Sequence, residues 1–204
     1  MNLGGSPGRR AGGRGVPGRF DRPGARASTG AHSDLSAMRL SPLTDAHLAA
    51  LMGWVPDADS TRNWAGTKFR HPFTAATFRE DIKADQPSFS LVGPDAELLG
   101  FGQYYLRAGR CHLARLIVSP HHRGRGLGAV LVRELCRRGC AGLEVTGCSL
   151  FVFSHNRPAV ALYRRLGFTE VPYPGEEKFP PDCVYQVTTL AELERNAATI
   201  RGVD

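Results

Sequence analysis

Apolar positions along this chain recur at two spacings, one suited to strands and one to helices. Short branched or aromatic runs at Ala37–Leu40, Phe89–Val92, Leu98–Leu106, from Cys111 to Val118, Leu150–Phe153 and Cys183–Thr188 predict strands. Between them, spacings of three and four residues predict helices. One runs from about Pro42 to Met52 with Leu43, His47, Leu48 and Leu51 on one side, and another follows Gly126 with Leu127, Val130, Leu131 and Leu135 facing a sheet. On the latter, Arg133, Arg137 and Arg138 are expected to face outward or toward the sheet edge. Thr77 followed by Glu80 fits a capping box for a short helix reaching about Ala84, and the segment holding Trp54 and Trp64 is expected to be a loop. GPDAE and Arg107–Arg110 predict turns, and Leu190–Ala198 a short final helix. Strands and helices in this alternation predict an α/β domain with a mixed sheet.

Two segments carry chemistry. ARLIVSPHHRGRGLGAVLVRELCRRG joins a strand containing Leu116, Ile117 and Val118 to a turn, Arg123, Gly124, Arg125, Gly126, Leu127 and Gly128, and then to an amphipathic helix. Such a turn lets main chain approach a ligand, and the helix start offers unpaired N–H groups to an anion. A basic surface turn has the same composition. The spacing is not the GxGxxG dinucleotide fingerprint, nor the GxxxxGK phosphate loop. The second segment, SLFVFSHNRPAVALYRRLGF, has an apolar run, a polar break, and a helix that Asn156 can cap, with Pro158 in its first turn and Gly167 at its end. Ala159, Leu162, Tyr163 and Leu166 form its stripe, and Tyr163 lies about two turns from Asn156.

In this order the two segments closely resemble the GNAT superfamily of acetyl-coenzyme A dependent N-acetyltransferases, over about Met38 to Phe168. The resemblance implies a GNAT acyltransferase fold: a mixed, mostly antiparallel sheet flanked by helices, with a splay between the fourth and fifth strands that admits acetyl-CoA. It implies that the turn from Arg123 to Gly128 wraps the cofactor pyrophosphate, that Leu116, Ile117 and Val118 bond the pantetheine through their backbone, and that Asn156 contacts the cofactor arm. Tyr163 is then the general acid near the thioester sulfur. The expected reaction is direct transfer of acetyl to a primary amine of a small molecule, peptide or protein; the alternative is a non-catalytic acetyl-CoA-binding regulatory module.

Direct transfer needs a neutral amine, an oxyanion donor and a proton for the sulfur. Backbone N–H groups near Val118 are the candidate oxyanion donors. His112, Glu80 and Glu144 are the candidate general bases, a water relay being the alternative, and His155 is read as a surface histidine. Trp54, Trp64, Phe69, His71 and Phe73 either form an acceptor wall, where the family places one, or cover the sheet edge. Glu176 and Glu177, in PYPGEEKFPP, either attract a cationic amine or make a solvated turn.

Composition adjusts this picture at the ends. Of 204 residues, 1–37 hold nine glycines, three prolines and six arginines, and predict a flexible extension before an acetyltransferase domain at 38–204. Six arginines against Asp21 and Asp34 place +4 of the formal +7 there, leaving +3 on the rest, so nucleic-acid and membrane partners are not expected. No run approaches a membrane span. Five cysteines, at 111, 136, 140, 148 and 183, make no regular disulfide framework, so the cytoplasm is the default location. Cys136 and Cys140 have a metal-pair spacing, but no second pair completes a set in the sequence, and packing without a metal is expected. The alternating apolar and charged positions of 190–198 suit an edge or a homodimer contact.

Overall fold

The computed structural model describes residues 35–201. The expected flexible extension over 1–37 falls outside them, apart from a short 3-10 helix at Leu35–Ala37 whose Leu35 packs on the main core.

The strands are β1 (Arg39–Pro42), β2 (Ser88–Val92), β3 (Leu98–Arg107), β4 (Arg110–Val118), β5 (Gly147–Phe153), β6 (Thr169–Glu170) and β7 (Cys183–Thr189). They form one sheet in the order β1-β2-β3-β4-β5-β7-β6, antiparallel throughout except where β4 meets β5. That parallel ladder has three pairs, Cys111–Cys148, His112–Ser149 and Leu113–Leu150, after which the two strands part. The expected splay between the fourth and fifth strands is this gap.

Helices α1 (Asp45–Trp54), α2 (Ala58–Ala65) and α3 (Ala75–Ile82) cover one face, where Leu48, Leu51, Phe78 and Ile82 pack with Phe101 and Ile117. On the other face lie α4 (Leu127–Leu143), α5 (Arg157–Arg165) and α6 (Leu190–Arg201). Leu131, Leu135, Leu150, Leu166 and Leu193 are at most 1% exposed there. Each such side chain contributes about 1.5–3 kcal/mol by leaving water.

Several local expectations are corrected. The segment between Trp54 and Trp64 contains α2, opened by a capping box in which Asp57 accepts from the Ser60 N–H at 2.7 Å. Its sequence, ADSTRNWA, buries only Thr61, so it carries no apolar stripe to read. The box of α3 pairs Thr74 with Thr77, because Thr77 is the third residue of a turn that Thr74 begins; Glu80 lies further along the helix. Arg107 ends β3, and the turn is Ala108–Gly109, both with positive φ. Arg133 is 8% exposed beside Glu134, whereas Arg137 pairs with Glu194 of α6 and Arg138 covers the Phe89 ring. Leu190 and Leu193 pack into the core, so these α6 positions are not available to a dimer contact.

The cysteine expectation also changes. Strand register sets Cys111 beside Cys148, and both join Cys136 and Cys140 in the core under α4. A second pair does therefore stand next to the helical one.

Candidate active site

A cleft of about 810 Å³ opens where β4 and β5 part. His112, Leu116, Asn156, Tyr163 and Glu80 all line it, so residues spread from α3 to α5 meet in one place.

Strand β4 does not run straight past this opening. Its pairing with β3 shifts between Phe101 and Gln103, and Arg115 in the bulge has φ 51°. Left-handed backbone at a non-glycine residue persists only where its surroundings hold it. Here Trp64 Nε1 donates to the Arg115 carbonyl at 2.8 Å, Arg115 Nη1 donates to Gln103 Oε1 at 2.7 Å, and Nη2 to the Asp81 carbonyl at 3.1 Å. Gln103 is itself fixed by donating to the Ile82 carbonyl at 2.8 Å and to Ser88 Oγ at 2.7 Å. Beyond the bulge, the Ser119 N–H donates to Leu99 O at 2.9 Å. Successive N–H groups on a strand alternate sides, so that of Val118 turns to the opposite edge, the one β5 has left. Ile117 sends its side chain into the α1–α3 core, and by the same alternation its N–H turns to β3, where it is paired with Phe101.

At the end of β4, Pro120–His122 form a 3-10 turn leading into α4. The N-cap of α4 is Gly126 with φ 77°, and among the described residues no side chain caps it. Ala129 and Val130 direct their N–H groups to the Gly126 carbonyl, while the earlier amides of the turn find no side-chain acceptor among the described residues. The cleft lining ends short of Val118 and of Arg123–Gly128, which form the next stretch of chain.

On α5, Asn156 Oδ1 accepts from the Ala159 N–H at 3.4 Å, so its role here is that of a cap. Tyr163 is 7% exposed, and burial pushes its phenol above the ordinary tyrosine range. His112 is 2% exposed, with Nδ1 3.0 Å from Ser149 Oγ and its ring among Tyr105, Phe151 and Tyr185. Burial, helped by the charge of Arg107, pushes its pKa down to about 3, which leaves a neutral imidazole. Glu80 is exposed and pairs with Arg70, which also holds Asp81. Glu144 ends α4 away from this cleft and is thereby separated from the other two candidate bases. His155 bridges Asn63 Oδ1 at 2.8 Å and Asp182 Oδ2 at 3.2 Å.

The aromatic residues of 54–73 chiefly build the second core: Trp64 stacks on Phe78 and also contacts Phe69 and Phe101. Trp64 and Phe69 also line the cleft, and further rings come from β3, β5 and the 173–179 segment. Arg107 stands 5.3–5.5 Å from the centroids of Phe151, Tyr173 and Phe179, bonds the Tyr105 and Tyr173 hydroxyls, and pairs with Glu177. Alternation along β3 was the available signal, since Gln103, Tyr105 and Arg107 share a face. The partners from the proline-rich segment carry no periodicity to read.

The chain's relatives agree with this geometry. The Acetyltransferase (GNAT) family model matches residues 58–168. Streptothricin acetyltransferase of Streptomyces lavendulae is 39% identical over 97 residues, covering 44% of this chain and 48% of that protein. The probable spermine N(1)-acetyltransferase of Bacillus subtilis subsp. natto is 29% identical over 94 residues, 41% of this chain and 62% of that one. The chain thus spans about half the length of the curated relatives it matches. Among solved structures, the spermidine N-acetyltransferase from Vibrio cholerae in complex with CoA and spermine superposes with a TM-score of 0.62 at 19% identity, over 78% of this chain and 99% of that one, and so shares its fold. By motif, sheet topology and family match together, the chain belongs to the GNAT acetyltransferase family.

Proposed function

We propose that the chain is an acetyl-CoA-dependent N-acetyltransferase that acts directly on a primary amine of a small molecule. The observation that carries this reading is the end of the β4–β5 ladder at Leu113–Leu150, which exposes a strand edge between Tyr163 and an uncapped helix start. Both features fit acetyl-CoA: the free amides of the 123–128 turn and the first turn of α4 suit its pyrophosphate, and the β4 edge at Leu116–Val118 suits its amide-bearing arm. When bound, acetyl-CoA supplies an activated acetyl group and a thiolate leaving group.

The residues of the chain do the rest. The N–H of Val118, turned to the open edge, is the donor for the developing oxyanion. Tyr163 keeps its proton because burial raises its phenol, and it acts as a hydrogen-bond donor toward the departing sulfur. Complete proton transfer from so weak an acid to a thiolate, whose own conjugate acid titrates near 8.5, runs uphill. His112, pushed down to about 3, is too weak a base for an amine, and its role is to hold the cleft floor through Ser149. Glu80 is engaged with Arg70, so the amine gives its proton to water at the open side of the cleft.

A cleft of about 810 Å³ is in the range of small-molecule sites. Its wall of Tyr105, Arg107, Tyr173 and Phe179, together with Trp64 and Phe69, is the surface for the acceptor, with Glu177 held there by Arg107. Small amines are also named for the spermine and spermidine acetyltransferases among the relatives. An oligomer belongs to the same reading, since a Vibrio cholerae spermidine N-acetyltransferase is described as dodecameric.

The test is free coenzyme A release from acetyl-CoA across a panel of amines, with product mass as the second readout. Amine-dependent release with a product heavier by one acetyl group supports transfer. Tight acetyl-CoA binding without release on any amine favours the regulatory module instead.

A further inference from the structure

Four of the five cysteines meet behind the sheet. Cys111 and Cys148 are paired across β4 and β5, while Cys136 and Cys140 stand one turn apart on the buried side of α4. The Sγ atoms of Cys111, Cys140 and Cys148 all lie within 4.8 Å of one another, and those of Cys140 and Cys148 are 3.4 Å apart. Cys136, one turn before Cys140 on α4, packs in the same core cluster. Exposure is 0% for Cys111, Cys136 and Cys148 and 3% for Cys140. Gly139 lets the helix come this near, because a Cβ there would meet Cys111 Sγ.

From this convergence we propose a binding site for a thiophilic d10 metal ion, typified by Zn2+, with Cys111, Cys140 and Cys148 as ligands and Cys136 as the fourth. Zinc–thiolate bonds of about 2.3 Å in a tetrahedron hold sulfurs roughly 3.8 Å apart. The observed separations, from 3.4 Å to within 4.8 Å, bracket that value, so small rotamer adjustments close the site. A soft donor set without carboxylate or imidazole selects such ions over Mg2+ or Ca2+.

Charge and access also suit an ion. Zn2+ with four thiolates carries two net negative charges, and the Arg110 guanidinium is packed against Gly147, the residue before Cys148. A surface pocket of about 360 Å³ includes Arg110 and Gly147, the residues just before Cys111 and Cys148, in its lining. Cys140 Sγ lies 4.0 Å from the Gly147 carbonyl at the same place. On loading, each ligand still protonated passes its thiol proton to solvent as the Zn–S bond forms, with no change of oxidation state. Bound at the first rung of the β4–β5 ladder, the ion fastens the root of the splay to α4.

The full-length chain, purified reduced, is loaded with Zn2+ or with Co2+ as optical probe and freed of excess metal. One zinc per chain, a thiolate-to-cobalt charge-transfer band with the intense visible bands of a tetrahedral site, and a chelator-reversible rise in melting temperature are expected. Cys140→Ala, confirmed folded by circular dichroism, loses the cobalt bands, while Cys183→Ser keeps them. Absence of stoichiometric metal and of the cobalt bands in folded wild-type protein overturns the proposal. A Cys140–Cys148 disulfide that persists under the reducing conditions of loading does so too. Should Cys140→Ala fail to fold, wild-type stoichiometry and spectrum decide alone.

Discussion

The indole N–H of Trp64 donates to the carbonyl oxygen of Arg115 at 2.8 Å, tying α2 to the one bulge in β4. This bond fixes where the strand turns away from β5, because Arg115 holds φ 51° only while its carbonyl and its guanidinium are both engaged. Trp64→Phe keeps most of the ring stacking on Phe78 but frees that carbonyl. Stability should fall by about 1–3 kcal/mol, the cost of an unsatisfied buried polar group. Chemical denaturation measures it, and loss of turnover beyond what unfolding explains would show that the bulge aligns the Val118 amide.

Tyr163→Phe removes a buried hydroxyl without changing the packing of the ring against Phe168. If the hydroxyl serves the departing sulfur, kcat should drop about 100-fold, the typical effect of losing one such donor. Acetyl-CoA affinity, read by calorimetry, should stay within a few-fold. Equal losses in both would make Tyr163 a binding residue.

Gly126→Ala places a side chain at φ 77° on the residue that starts α4. Left-handed backbone costs a non-glycine residue roughly 1–2 kcal/mol, and relaxing it rotates the first amides of the helix. Acetyl-CoA should bind about tenfold more weakly while the acceptor KM is little changed. Titration of the variant with coenzyme A checks this, and unaltered affinity would remove the turn from the pyrophosphate site.

His112 gives a pH signature to stability. Its folded pKa of about 3 lies below the 6.5 of an unfolded histidine, so between those values the unfolded chain takes up a proton that the folded chain does not. The stabilisation is fully present above pH 6.5 and is lost as pH falls toward 3, at up to about 1.4 kcal/mol per pH unit. Melting temperatures from pH 7.5 to 4.5 should decline less steeply in His112→Gln than in wild type. Parallel slopes would mean that other groups set the acid limb.

The elements that the sequence made legible are those whose side chains announce their own periodicity. β4, α4, β5 and α5 pair strong apolar stripes with cap and turn residues, so these elements followed from local pattern, while the splay and the role of Tyr163 were implied by the family resemblance their motifs carry. α2 escaped because it buries a threonine rather than a leucine, and β6 because two residues make no pattern. The Arg115 bulge depends on Trp64, Gln103 and Asp81, each distant in sequence, and no local property of the run HLARLIV reports it. Glu144 looked like a neighbour of the site only because it precedes β5; the helix that ends there carries it to the far end of the strand. The thiol cluster needed strand register, since Cys111 and Cys148 are 37 residues apart and become neighbours only across the parallel ladder.

Three rungs join the β1–β4 half of the sheet to the β5–β7 half. A ligand lying along the exposed edge supplies the rungs that the chain itself omits, so part of its binding free energy is recovered as resistance to unzipping. At a hundred times its Kd it would add about 2.7 kcal/mol to the folded state. Hydrogen exchange at Leu116–Phe153 should then slow together on both sides of the gap, the two halves behaving as one cooperative body only when the wedge is filled.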